Sequence, residues 1–507
     1  MHKKILCIGN NDEDTDRQVA RLAEENNSTN HGLINSVDFI PAQVGYYHTT
    51  VIDLPAGKIV ELSKQFDQVM LLDQPIEQWS NEKLLFTTVK LFNDIANCGV
   101  DTIYLDNQNV QRFLAFDKFL KENKSFCIYP WINFVEDVNG IQLCARSAAI
   151  PIQSNGKDSD WVDNPQRNNI RQRMLNGEKL PEYCKICYDY EDKGVESYRQ
   201  FDTQEWVNHL GIDSVDDLKS LTHPYFYELR LSNKCNLMCR GCNPDYSHLI
   251  EKEFKQFNIK SPMQFINEKV YSTIDRINIP SLNQSSRVYL TGGDPTVIPD
   301  VYTFMERCIE AGKTDFQFTL GINGQKISEK FLNLCNHFST LNFSVSLDGY
   351  GKVNDYWRWG SDFDTIIKNT KLLQSFGHNI SINMVPGIYN VTNLHLLYEF
   401  LDREFPSVSI YLQLNYIKEQ NPYNHPNVEL AMHSLERCRQ TSVYYSNGKS
   451  NKTGIDSLYE HYKTNPKCNT ELLKKFFKYN DQLDLARGSK LGDYIPELEA
   501  VRYLVDQ

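Results

Sequence analysis

Between residues 225 and 414, six strand-length apolar runs (YFYELRLSN, RVYLTGG, DFQFTLGING, LNFSVSLD, NISINMVP and SVSIYLQL) alternate mostly with segments long enough to be helices. The stretches 300–312, 328–338, 363–376 and 393–405 carry apolar residues three and four apart, the period of an amphipathic helix. A strand followed by a helix is not half of a tight hairpin. The helix carries the chain back across the sheet, so successive strands run parallel and helices cover them. The pattern predicts an α/β fold, either an open doubly wound sheet or a barrel. In both, functional residues gather where strands end and loops begin. Cys235, Cys239 and Cys242 follow the first of these strands, Gly292 and Gly293 close the second, Asn323 and Gly324 the third, and Asp348 and Gly349 the fourth.

With 507 residues the chain is longer than a single hydrophobic core supports, so several domains are expected. Residues 1–115 read as an α/β, Rossmann-like unit: strand KKILCIGN, a helix over 16–25, strand QVMLLD, a helix over 81–96 and strand DTIYLD. Gly9-Asn10-Asn11 after the first strand lacks the spacing of a dinucleotide-binding turn and reads as a tight turn. Residues 116–205 have short apolar pieces and four cysteines, the signature of a small domain that a metal would stabilise. Residues 220–415 hold the alternating strands and helices, and 416–507 form a helical extension ending in RGSKLGDYIPELEA, to which no chemistry attaches.

The chain has 13 cysteines, and the N-terminus MHKKILCIGNND does not present the roughly 7–15 apolar residues of a secretory signal. No apolar run approaches the ~20 residues needed to cross a bilayer. The expected compartment is the cytoplasm, where clustered cysteines point to metal or catalysis and not to disulfides. A net charge of −12 opposes nonspecific attraction to nucleic acid and favours a neutral or cationic substrate segment.

In NKCNLMCRGC the spacing is C-x3-C-x2-C. Three thiolates on a cubane cluster leave one iron without a protein ligand, an open position for a small molecule. Zinc is the rival, but a closed structural zinc site takes four ligands and no nearby His or Cys completes this set in sequence.

Cys235, Cys239 and Cys242 match the CxxxCxxC signature of radical S-adenosylmethionine (SAM) enzymes, and the chain resembles that superfamily across roughly residues 220–415. TGGDP at 291–295 looks like the GGE-type motif, which implies that the backbone of Gly292, Gly293 and Asp294 meets the amino group of SAM. Asn323 in INGQ, Ser346 and Asp348 in SLDG, and Arg358 in YWRWGSDFD stand where the family places further cofactor contacts. The implied fold is a partial (βα)6 barrel. Two departures are visible: Gly241 precedes the third cysteine, where an aromatic is usual, and Asp294 replaces the common glutamate.

Cys127, Cys144, Cys184 and Cys187 supply four thiols, enough to close a second [4Fe–4S] cluster or a four-cysteine zinc site. The segment RQRMLNGEKLPEYCKICYDYEDKG resembles the twitch or SPASM auxiliary-cluster domains, here placed before the barrel, and that resemblance favours iron–sulfur. The other cysteines, Cys7, Cys98, Cys308, Cys335, Cys438 and Cys468, read mostly as packing residues.

The resemblance implies two [4Fe–4S] clusters and SAM as cofactors, and a flavodoxin or ferredoxin as electron donor. It also implies reductive cleavage of SAM followed by hydrogen abstraction from a substrate carbon. A peptide undergoing oxidation, cross-linking or epimerisation is the leading substrate expectation. A small sugar or nucleotide is the alternative within the superfamily, and a non-catalytic metal-binding scaffold the alternative outside it. No side chain stands out as a catalytic acid or base.

Overall fold

The computed structural model describes five strands before residue 105 and residues 108–505, apart from 138–139, 148–163, 193–196, 264–270, 414, 416, 446–448 and 466. The helices expected at 16–25 and 81–96, the turn at Gly9 and Cys98 lie outside the described residues. The chain divides into two compact units. One comprises Met1–Trp131, Ile170–Pro181 and Lys185–Leu221, and the other Ile132–Asn169, Glu182–Cys184 and Thr222–Gln507.

The first unit holds a parallel five-stranded sheet, order β2-β3-β1-β4-β5, formed by β1 (Lys4–Ile8), β2 (His31–Leu33), β3 (Gly45–Thr49), β4 (Gln68–Leu71) and β5 (Asp101–Tyr104). The three expected strands are β1, β4 and β5. The short β2 and β3 lack a legible alternation. Later in this unit the helix Tyr198–Leu210 begins at a capping box in which Ser197 and Gln200 satisfy each other's backbone amides.

The second unit is built on an eight-stranded sheet, order β13-β12-β11-β10-β9-β8-β6-β7. Its strands are β6 (Asn133–Asp137), β7 (Gly140–Gln142), β8 (Phe226–Arg230), β9 (Arg287–Thr291), β10 (Gln317–Ile322), β11 (Leu341–Ser346), β12 (Asn379–Met384) and β13 (Ser409–Leu412). The last six are the expected strands, all parallel, and the architecture is that of a partial (βα)6 barrel. Beyond that expectation, β6 adds in parallel to β8 and β7 folds back antiparallel on β6. The cysteine-rich segment 116–205 is thus divided between the two units, with β6 paired to β8 and Phe134 in the core of the larger sheet.

Side chains alternate across a strand, and here the alternation separates apolar from polar. Val288 and Leu290, Phe318 and Leu320, Phe343 and Val345, and Ile382 and Met384 all enter one core cluster beneath the helices. Their neighbours on the opposite face include Thr291, Thr319, Ser344, Ser346, Ser381 and Asn383. One face is a hydrophobic core, and the other is a polar surface at which the strand-end loops converge.

The helices are positioned by ordinary means. Pro299 opens Pro299–Glu310, Ser328 caps Glu329–Cys335 and Asp362 caps Phe363–Ser375. Phe304, Phe316, Phe318 and Phe338 interlock with ring centroids 5.2 to 6.3 Å apart and lock helix Pro299–Glu310 to the sheet. Each such burial contributes about 1.5–3 kcal/mol. The tail belongs to the same compact unit, through the 18-residue helix Thr470–Arg487. No described helix is long and apolar enough to cross a membrane.

Candidate functional site

The loop carrying Cys235, Cys239 and Cys242 leaves the carboxyl end of β8 and is held from two sides. On one side the turn after β9 donates to it: the Gly293 amide bonds the Ser232 carbonyl at 2.8 Å and the Asp294 amide bonds the Lys234 carbonyl at 2.9 Å. This approach demands glycine. A Cβ on Gly293 would lie 2.0 Å from the Lys234 oxygen, and Gly292 adopts φ +121°, where a Cβ would lie 2.7 Å from the Ser232 oxygen. The Cys235 amide donates to His248 Nδ1 at 3.2 Å, tying the loop to the start of helix His248–Phe257.

On the other side the amides of Met238 and Arg240 donate to the carbonyls of Trp359 and Trp357, at 2.9 and 2.7 Å. Cys239 therefore lies opposite Arg358. Arg240 is wholly buried, and its guanidinium reaches the Tyr356 carbonyl at 2.9 Å, Asn480 at 3.1 Å, Asp484 at 2.5 Å and Ser489 at 3.1 Å. Gly241 is explained by the same segment, since a Cβ there would lie 2.8 Å from the indole nitrogen of Trp357. The aromatic usual at that position is replaced by an indole arriving from residue 357.

Burial pushes the Cys235 thiol up to about 12, with Cys239 and Asp294 adding to the effect. Cys242 is raised by burial and then by Cys239 and Cys235, and Cys239 is raised by burial against the pull of Arg358. The three sulfurs are close enough to oppose one another's ionisation, which a cationic group bound among them would reverse. Among the described residues no three His, Cys, Asp or Glu side chains converge as on a single ion. The site fits three-thiolate cluster ligation.

The remaining expected contacts gather around this loop. Asp294 is 1% exposed, and its carboxylate accepts from the Thr296 amide at 2.9 Å, from the Thr296 hydroxyl and from the Asn323 amide at 2.6 Å. Burial raises its pKa against these bonds. With both carboxylate oxygens engaged, Asp294 braces the ends of β9 and β10. Asn323 directs its amide nitrogen to Asn236 at 2.7 Å and stands 3.9 Å from the Cys235 sulfur. Asp348 pairs with Arg358 at 2.5 Å and accepts from the Val385 amide at 2.8 Å. Burial works against the Arg358 charge, yet Cys239 and Asp348 hold its pKa above the ordinary value. Ser346 ends β11 half-buried, in register with Asn383, whose buried side-chain oxygen has no partner. Asn383 was not singled out by motif. The signal that could have found it is the polar alternate position in NISINMVP. Arg240, Asn480 and Asp484 were also missed, as partners separated by 240 residues or more in sequence.

The upstream cysteines fall in different units: Cys127 and Cys187, both buried, in the first, and the half-buried Cys144 and Cys184 in the second. Cys184 marks a kink within helix Pro181–Glu191, at φ −114° and ψ 16°, and Cys144 follows β7 by two residues.

The sequence profile of the radical SAM superfamily matches residues 229–401. No curated protein sequence matches the chain. Among solved structures, native anSMEcpe with bound AdoMet aligns at TM-score 0.32 and 18% identity, over 42% of this chain and 59% of that one. Streptococcus suis SuiB bound to precursor peptide SuiA aligns at TM-score 0.33 and 17% identity, over 54% of this chain and 64% of that one. The radical S-adenosylmethionine methyltransferase TsrM from Kitasatospora setae, with cobalamin and a [4Fe-4S] cluster bound, aligns at TM-score 0.30 and 8% identity, over 96% and 99% of the two chains. The chain spans less than two thirds of the anSMEcpe and SuiB chains it matches.

Proposed function

Because residues 229–401 make this chain a member of the radical SAM superfamily and an enzyme of it, we propose that it binds a [4Fe–4S] cluster on Cys235, Cys239 and Cys242 and reductively cleaves SAM. Bound there, a reduced cluster supplies the electron that splits SAM into methionine and a 5′-deoxyadenosyl radical, which takes hydrogen from a substrate carbon. The observation that carries this reading is the double clamp on the cysteine loop. It holds three thiols together at the carboxyl edge of a parallel sheet, with the Arg358 cation beside them.

The chain's own residues do the rest. The amides of Gly293 and Asp294 are consumed by the cysteine loop, so it is carbonyls of this turn that are left to receive the amino group of SAM. Asn323, Ser346 and Asn383 stand at the ends of β10, β11 and β12 and offer polar contacts to the remainder of the cofactor. Arg358, fixed by Asp348, balances thiolate charge from the opposite strand-end loop. The inner polar face gives room for hydrogen-bonding substrate groups, as orientation of a reactive fragment requires.

The substrate class we propose is a peptide undergoing oxidation, cross-linking or epimerisation. It is supported by the resemblance of the Cys184–Cys187 segment to twitch-domain proteins and by an acidic chain that favours neutral or cationic segments. The same resemblance supports an auxiliary cluster on Cys127, Cys144, Cys184 and Cys187.

The test is anaerobic reconstitution followed by iron analysis, electron paramagnetic resonance with and without SAM, and detection of 5′-deoxyadenosine. Wild type should show a SAM-responsive signal and release 5′-deoxyadenosine, and Cys239→Ala should do neither. Undiminished cleavage in Cys239→Ala would refute the assignment of the triad.

A further inference from the structure

A cleft of about 570 Å³ is lined by the cysteine loop, the turn after β9, helix Pro299–Glu310 and the segment leading into Glu329–Cys335. Lys234, Cys235, His248, Glu306, Lys326 and Lys330 are among its walls. Of the three cysteines of the triad, Cys235 is the one the cleft reaches.

The cleft's charge runs against that of the whole chain. Net charge is −12, yet three lysines face a single carboxylate here. Glu306 is occupied by Lys330 at 2.8 Å, which leaves the exposed Lys234 and Lys326 without an ion-pair partner among the described residues. A cationic concavity in an acidic molecule focuses the local field on an anionic partner and raises its encounter rate.

We propose that this cleft is the docking surface for a small acidic one-electron donor protein of flavodoxin or ferredoxin type. The inference rests on the triad holding a cluster. The donor's reduced centre would give up one electron to a [4Fe–4S] cluster held by the triad, taking that cluster from the 2+ to the 1+ state with no atom transferred. Redox encounters of this kind use small, electrostatically steered interfaces, which suits a charged cleft better than a broad apolar patch.

The experiment is stopped-flow reduction of cluster-loaded protein by flavodoxin hydroquinone over about 20 to 200 mM salt, with photoreduced deazaflavin as a small neutral control. Wild-type reduction by flavodoxin should slow as salt rises. The double variant Lys326→Glu, Lys330→Glu should be slower at low salt by about tenfold, with little salt dependence left, while its reduction by deazaflavin is unchanged. Lys326→Gln, which leaves the Glu306–Lys330 pair intact, should fall between the two. Wild-type rate and salt slope in the double variant would overturn the docking surface, as would equal slowing with both reductants. Tight binding of inorganic pyrophosphate in the cleft without effect on the flavodoxin rate would assign it to a small anion and also overturn the proposal. Failure of the wild type to hold a reducible cluster is a separate outcome, seen in iron content, and it overturns the site reading beneath.

Discussion

At position 293 a single methyl group would meet the Lys234 carbonyl oxygen at 2.0 Å. Neither partner can yield easily, because both are backbone and both are tied by hydrogen bonds to the same loop. Gly293→Ala should therefore cost about 1–3 kcal/mol as an overpacked contact and displace the cysteine loop. The expected outcome is a lower unfolding midpoint together with less than half the wild-type iron after reconstitution. Wild-type iron and stability would show that the turn after β9 does not cradle the loop. The glycine pair was legible as a motif in TGGDP, but its steric reason was not, since the atom it makes room for belongs to a residue nearly sixty positions earlier. Gly241 teaches the same lesson in reverse. It departs from the family pattern in sequence, and the structure supplies the missing aromatic as Trp357.

The elements that fix the cysteine loop are the turn after β9, the segment 357–359 and the helix Thr470–Arg487. That helix gives Asn480 and Asp484 to the buried Arg240, and Arg487 pairs with Glu253 through two contacts of 2.8 and 2.7 Å. Removing one member of a buried pair leaves the other charge uncompensated, which typically costs about 3–5 kcal/mol. Asp484→Ala should lower the denaturant midpoint accordingly and loosen the loop between Cys239 and Cys242. Denaturant unfolding of the apo-protein checks this without reference to activity. A change within a few tenths of a kcal/mol would mean that the tail does not brace the loop. The helical character of 416–507 was readable, but the partner of Asn480 and Asp484 was not, because Arg240 lies 240 or more residues earlier in the chain.

At the scale of the molecule, two compact units share the cysteine-rich segment, and the upstream quartet is distributed over both. If those four thiols hold a cubane, Cys187→Ala should lower iron by about four atoms per chain while leaving the SAM-responsive signal of the triad in place. Zinc at one equivalent in the wild type, with iron unchanged in the variant, would make the quartet a structural zinc site. The sequence by itself determined the six parallel strands, the helices between them, the cysteine triad and the glycines at strand ends. Each is written in a contiguous window, through side-chain period, backbone freedom or short-range spacing. Only the tertiary structure decided that β6 and β7 extend the barrel sheet, that a C-terminal helix anchors the cysteine loop, that Trp357 occupies the space beside Gly241, and that three lysines gather next to Cys235. These depend on contacts between distant segments, whose free energy appears only once the chain has closed the loops that bring them together.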